Sequence, residues 1–234
     1  MAIKVGSARH DENGRYTNGK AGDQTGTEVT TQTMYTHSKG WYILRLKDVE
    51  KAEALANAMI IACNNNNIGY DQNNRLGVVK KGITTATKTE CDCSSLVRAC
   101  LSYIGISVGN FTTANEATLL AKTGLFLDKF EYVSQAKTPV YNGDILVTKT
   151  KGHTVIVVSG NARKVESVTG SFYPEYTGSS SSIVDALTSV GVEDTTLAHR
   201  QKIAKANDIS TLISSTMNIK LLTLLKAGRL RKEV

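Results

Sequence analysis

The chain lacks any run approaching the roughly 18–20 unbroken apolar residues that a membrane-spanning helix requires, so no membrane span is expected. Its opening, MAIKVGSARHDENG, lacks the apolar core of about 7–15 residues that marks a secretory signal. Cysteine is scarce. Of the four, Cys91, Cys93 and Cys100 crowd into ten residues and Cys63 stands apart. Cys91 and Cys93 are separated by one residue, which is not the spacing of a zinc knuckle, and no second cysteine pair follows. No metal and no cofactor is expected. A disulfide-stapled secreted fold is disfavoured as well, because the chain is long and carries no signal. Helix-turn-helix, zinc-finger and RNP signatures are missing, which argues against a nucleic-acid partner. Acidic residues are outnumbered: 21 Asp and Glu face 28 Lys and Arg, a formal net charge of +7 over 234 residues. A basic chain favours polyanions, but charge alone does not choose among nucleic acid, anionic lipid and anionic wall polymers. Apolar residues make up 41%. That excludes a disordered protein and is enough for one sizeable core plus a small second unit.

The first 40 residues are polar and rich in Gly, Thr and Asn, and read as turns and loops with short strands at most. Gly40 to Leu46 (GWYILRL) reads as a strand. Asp48 can cap a helix whose apolar stripe is Val49, Ala52, Leu55, Ala56, Met59, Ile60 and Cys63. Asn64 to Asn67 ends it, and a loop with Ile68, Gly69 and Tyr70 follows. A second amphipathic helix starts at Ser94 and carries Leu96, Val97, Cys100, Leu101 and Ile104, and a third falls around Ala114 to Ala121. The texture then changes to β-branched clusters split by turns: Asp144 to Val147, His153 to Ser159 and Lys164 to Val168, read as consecutive antiparallel strands. Helices followed by strands make an α+β pattern. Near residue 173 the composition shifts again. FYPEYTGSSSS has the look of a linker, and about 50 residues of purely helical periodicity follow, with eight basic and five acidic residues. The expected division is a catalytic domain over 1–172, a linker over 173–182 and a small all-α domain over 183–234.

Cys93 follows Asp92 and opens the second helix. A thiol there faces the positive end of the helix dipole and unpaired N–H groups, both of which favour the thiolate. His153, 60 residues later, opens a strand. A helix-borne Cys followed in sequence by a strand-borne His is the arrangement of papain-like hydrolases, with Cys as nucleophile and His as base. Each residue alone is more simply read as structural; together, in this order, they read as catalytic. A third polar group should orient the imidazole from the strand one hairpin later, after the turn Gly160 to Arg163. Glu166 is the choice there, with Ser167 and Asn161 as alternatives. Cys63 and Cys100 sit on apolar helix faces and read as core.

Asp92-Cys93-Ser94-Ser95-Leu96-Val97 resembles the nucleophile motif of the NlpC/P60 cysteine peptidases, a papain-like family. Gly143 to Val147 resembles its Gly-Asp strand, and His153 to Ser159 its histidine strand. Asn67-Ile68-Gly69-Tyr70 is placed like the tyrosine loop that lines its site. The likeness covers roughly residues 48–170. It implies the papain-like NlpC/P60 fold, helices packed on an antiparallel sheet, with Tyr70, Asp92 and Ser94 on the substrate side. This sequence departs at the third position, where that family usually has His and none occurs near residue 165. The related CHAP amidohydrolases often have Glu there. The C-terminal helices, through Ile183 to Leu187, Val190 to Val192, Arg200 to Ala204, Asn207 and Leu224 to Gly228, resemble a wall-binding module of phage endolysins. Ala8 to Gly14 and Gly22 to Gly26 resemble the opening of such lysins and are expected to line the substrate groove.

These resemblances imply a phage endolysin that cuts an amide bond in the peptide stem of Gram-positive peptidoglycan, as an endopeptidase or an N-acetylmuramoyl-L-alanine amidase. It would be made in the host cytoplasm without a signal peptide and act at the wall, with peptidoglycan and wall polymers as partners. No paired-carboxylate site stands out for a glycosidase. Two other classes stay open: a non-catalytic basic protein that binds wall or nucleic acid, and an effector of the same fold that acts on another amide.

Overall fold

The structure, a computed structural model, describes residues 2–161, 163 and 172–233. The chain divides into two compact units, residues 1–163 and 164–234.

The first unit is built on a six-stranded sheet. In chain order its strands are β1 (Lys4–Ala8), β2 (Val29–Thr33), β3 (Trp41–Leu44), β6 (Phe130–Glu131), β7 (Ile145–Thr148) and β8 (Thr154–Ser159). They lie in the order β2-β1-β8-β7-β3-β6, and every neighbouring pair is antiparallel. The helices α1 (Val49–Cys63), α2 (Gly77–Lys81), α3 (Cys93–Tyr103) and α4 (Glu116–Ala121) complete the unit. A short parallel pair, β4 (Ile68–Tyr70) and β5 (Thr89–Cys91), leads into α3. The α+β class expected from the sequence is therefore the observed one.

The apolar run of β8 has a direct cause, since the strand is buried on both faces. Ile156 and Val158 join the main core beneath α1 and α3 with Leu55, Met59, Leu96 and Val97. Val155 and Val157 point the other way, into a second cluster with Val5, Trp41, Ile43 and Leu146. The Asp48 cap expected for α1 is present: its side chain accepts from the Lys51 N–H. The Gly-Asp pair before β7 is a packing device. Gly143 has φ +77°, and a Cβ there would lie 2.0 Å from the Ala52 carbonyl oxygen of α1. Asp144 forms a two-pronged ion pair with Arg45, at 2.8 and 2.7 Å, and also accepts the Tyr141 N–H. That answers the desolvation of a side chain only 1% exposed.

The polar opening supplies two short strands, as its reading allowed, and β1 lies inside the sheet between β2 and β8. Its backbone pairs on both edges, so the ladder does not depend on the hydrophobicity of its short side chains. Ile68 to Tyr70 is a strand paired with β5 rather than a loop. The strand expected over Lys164 to Val168 lies outside the described residues; among the described strands β8 lies between β1 and β7.

The second unit is three helices, α5 (Ile183–Ser189), α6 (Leu197–Ala206) and α7 (Ser214–Lys226). Ser182 and Thr196 cap the first two. They close on Ile183, Leu187, Ile203, Met217, Leu221, Leu225 and Leu230. Tyr173, within the stretch read as a linker, packs in this core. Its hydroxyl donates to Glu233 at 2.9 Å, and Glu233 also meets His199.

Candidate active site

Strand β5 delivers the chain to Asp92, which caps α3. Its Oδ1 accepts the Ser95 N–H at 2.7 Å, while the Ser95 hydroxyl accepts the Asp92 N–H at 2.9 Å. This reciprocal pair is the capping box. Ser94 donates to the same Asp92 oxygen at 3.1 Å. Arg75 closes the turn from outside: its Nε donates to Asp92 Oδ2 at 2.6 Å and its Nη2 to Ser94 Oγ at 2.9 Å. Asp92, Ser94 and Ser95 thus spend their polar atoms on building the turn. The residue that the turn presents is Cys93, the first of the helix.

Across from it, β7 and β8 form a tight hairpin. The His153 N–H donates to Thr148 Oγ1 at 2.9 Å, and its carbonyl accepts the Thr148 N–H at 3.0 Å. The backbone N–H groups of Thr154, one residue past His153, and of Ser94 act on the Cys93 thiol in favour of its thiolate. The fold therefore brings the start of α3 and the start of β8 together. Tyr70 arrives on β4 and is 2% exposed. Its hydroxyl accepts from Gln72 Nε2 at 3.0 Å, and its ring meets Tyr16 edge-on.

The electrostatics differ from expectation in one respect. Burial pushes the Cys93 thiol above its ordinary value, and the neighbouring Asp92 and Glu116 add to that; the two N–H groups offset only part of it. The helix-start position does not yield a resting thiolate, because 7% exposure leaves the charge poorly solvated. His153 is pushed down to about 4, by burial first and then by His37 and Arg9, with Asp92 opposing. Both groups are neutral at neutral pH. A neutral imidazole is a competent proton acceptor, so the arrangement suits transfer of the thiol proton during attack rather than a standing ion pair. Cys91 and Cys100 are fully buried, and burial raises both thiols. Cys63 is pushed up to about 12 by the same cause.

Glu166 and Ser167 lie outside the described residues. Asn161 bonds the backbone of Val140 and Asn142 beyond the far end of β8, roughly 25 Å from His153 at strand rise. Five residues near the pair were not anticipated individually. Tyr35, His37 and Trp41 form an aromatic group beside His153, with the Trp41 and His153 ring centroids 6.5 Å apart. Arg9, in the opening stretch expected to line the groove, is close enough for its charge to act on both His153 and Tyr35. Glu116 of α4 acts on Cys93. No local pattern marks these residues; the pairing of β1 carries Arg9 here, the approach to β3 carries the aromatic group, and α4 carries Glu116. Among the described residues no cluster of His, Cys, Asp and Glu could hold a metal ion, and no helix is long and apolar enough to cross a membrane.

Comparison with curated proteins and with solved structures gives no match. The family model of an endolysin-like domain matches residues 5–164, which span the whole sheet and both halves of this site. The chain belongs to the endolysin-like domain family.

Proposed function

We propose that this protein is a phage endolysin that hydrolyses an amide bond in the peptide stem of Gram-positive peptidoglycan, with Cys93 as nucleophile and His153 as general base. Family membership supports a phage lysin acting on the cell wall, with peptidoglycan as substrate. The observation that carries the chemistry is the Cys93 thiol at the first turn of α3, facing the N–H of the residue that follows His153. His153 takes the thiol proton as sulfur attacks the amide carbon, then returns it to the leaving amine. Tyr70, whose phenol oxygen already accepts from Gln72, keeps its own O–H as a donor toward the oxyanion beside the Cys93 backbone N–H. Water then releases the thioester. Glu166 stays the sequence-based candidate for orienting His153. Asp92 is the described carboxylate that favours the protonated form of His153. The second unit, with its own core and an excess of basic residues, is proposed to hold the enzyme on wall polymers and so raise the local substrate concentration.

Mass spectrometry of fragments released from purified Gram-positive walls tests this reading. New amino termini or lactyl ends from wild type and none from Cys93→Ala are expected, and the fragment mass identifies the bond cut. Equal release by Cys93→Ala would end the mechanism.

A further inference from the structure

Glu116 is the most deeply buried carboxyl near the site. It is 0% exposed, and one of its oxygens, Oε2, has no hydrogen-bond partner among the described residues. Its other oxygen accepts the Thr154 hydroxyl at 2.9 Å. Thr154 is the residue whose backbone N–H meets the Cys93 thiol. A buried polar group with half its capacity unused is costly.

The surrounding segment shows what the cost supports. Three residues before Glu116, Thr113 Oγ1 accepts the Gly152 N–H at 3.1 Å. Thr113 and Glu116 therefore grip Gly152 and Thr154, the residues on either side of His153. The same segment is tied to the nucleophile turn. Arg75, already bonded to Asp92 and Ser94, donates to Asn110 Oδ1 at 3.0 Å and to the Phe111 carbonyl at 2.6 Å. Residues 110–116 thus connect the turn that carries Cys93 to the hairpin that carries His153.

We propose that Glu116 is a positioning residue of the Cys93–His153 site, fixing through Thr154 both the N–H that faces the thiol and the start of the strand that follows His153. The inference rests on the cysteine-hydrolase reading above. Burial pushes the Glu116 carboxyl up to about 8, with Thr154 lowering it and Asp92 raising it further. It is accordingly uncharged at neutral pH. The groups that act on it are Thr154 from β8 and Asp92 from the start of α3, and Asp92 is itself countered by Arg75. Once Glu116 ionises, its charge lies beside the thiol and opposes thiolate formation.

Alkylation of Cys93 by iodoacetamide, located by peptide mass spectrometry and followed from pH 6 to 10, reads this without any substrate. Glu116→Gln keeps an acceptor for Thr154 but cannot ionise. Its alkylation rate at pH 9, relative to its own rate at pH 6.5, is expected to exceed the wild-type ratio by about tenfold, since a neighbouring charge moves a thiol by roughly one pH unit. Superimposable profiles overturn the proposal. Glu116→Ala and Thr154→Val are each expected to lower kcat on purified walls by at least about fivefold with KM little changed, and the double variant no further, because both break one bond. Additive losses overturn it as well. Should Glu116→Ala fail to fold, Thr154→Val against Thr154→Ser carries the test: serine keeps the hydroxyl that donates to Glu116 and should retain the wild-type kcat, and equal losses in the two overturn the proposal. A wild type that releases nothing from walls, yet shows the Glu116-dependent alkylation profile, refutes the hydrolase reading and leaves the positioning role standing.

Discussion

Replacing Arg75 by Met isolates the connection between the two halves of the site. The guanidinium makes four hydrogen bonds, to Asp92, Ser94, Asn110 and Phe111. Its ion pair with Asp92 is mostly buried, at 16% and 11% side-chain exposure. Breaking a buried pair by removing one partner costs about 3–5 kcal/mol, and the partial exposure places this one near the lower end. The Phe111 carbonyl loses its donor at about 1 kcal/mol more. A total of roughly 4 kcal/mol is a large share of a stability of about 5–15 kcal/mol. Urea denaturation followed by circular dichroism would show it as a fall in midpoint at unchanged slope. The structure adds a second requirement. Because Asp92 and Arg75 share one contact, Arg75→Met and Asp92→Asn together should cost at least about 1.5 kcal/mol less than the sum of the single changes. Additive losses, or an Arg75→Met loss below about 1 kcal/mol, would show that the guanidinium does not brace this turn.

Three further outcomes are expected. Lowering the pH should reduce both activity and stability through His153. Its folded value of about 4 lies below the ordinary 6.5, so the unfolded chain takes up the proton first. Stability falls as the pH drops through that window, by about 3 kcal/mol in full, and a His153→Gln chain melted across pH 4 to 7 should lack this loss. Gly143→Ala should destabilise by roughly 3 kcal/mol, from a φ of +77° and a methyl driven into the Ala52 carbonyl; a thermal melt within 1 °C of wild type would contradict the packing described. Removing residues 173–234, which leaves Glu166 in place, should abolish co-sedimentation with purified walls while leaving fragment release from solubilised peptidoglycan within a few fold, and undiminished sedimentation would place wall binding outside the helical unit.

Much of the first unit was legible because its signals are local. The Asp48 and Asp92 caps, the stripe of α1 and the β-branched run of β8 each follow from residues within a few positions of one another. The Cys93–His153 pairing was legible for a different reason: a nucleophile at a helix start and a base at a strand start form a recognisable order even 60 residues apart. The strand character of β1 was not, since Lys-Val-Gly-Ser-Ala has little β signal and is held by neighbours on both edges. Nothing local singled out Glu116, and Arg9 read as part of a polar opening.

The sequence by itself determined the α+β class, the helix starts and the candidate nucleophile and base, because caps, periodicity and spacing are properties of neighbouring residues. Only the tertiary structure decided what surrounds that pair. Strand pairing at long range set β1 against β8 and brought Arg9 toward His153, and the connection through Arg75 and residues 110–116 set Glu116 beside Thr154. The protonation of the site was decided there too. A thiol at a helix start is expected to ionise, yet burial among Asp92, Glu116 and the core outweighs the N–H groups that face it, because desolvation depends on the whole enclosing fold and not on the turn alone.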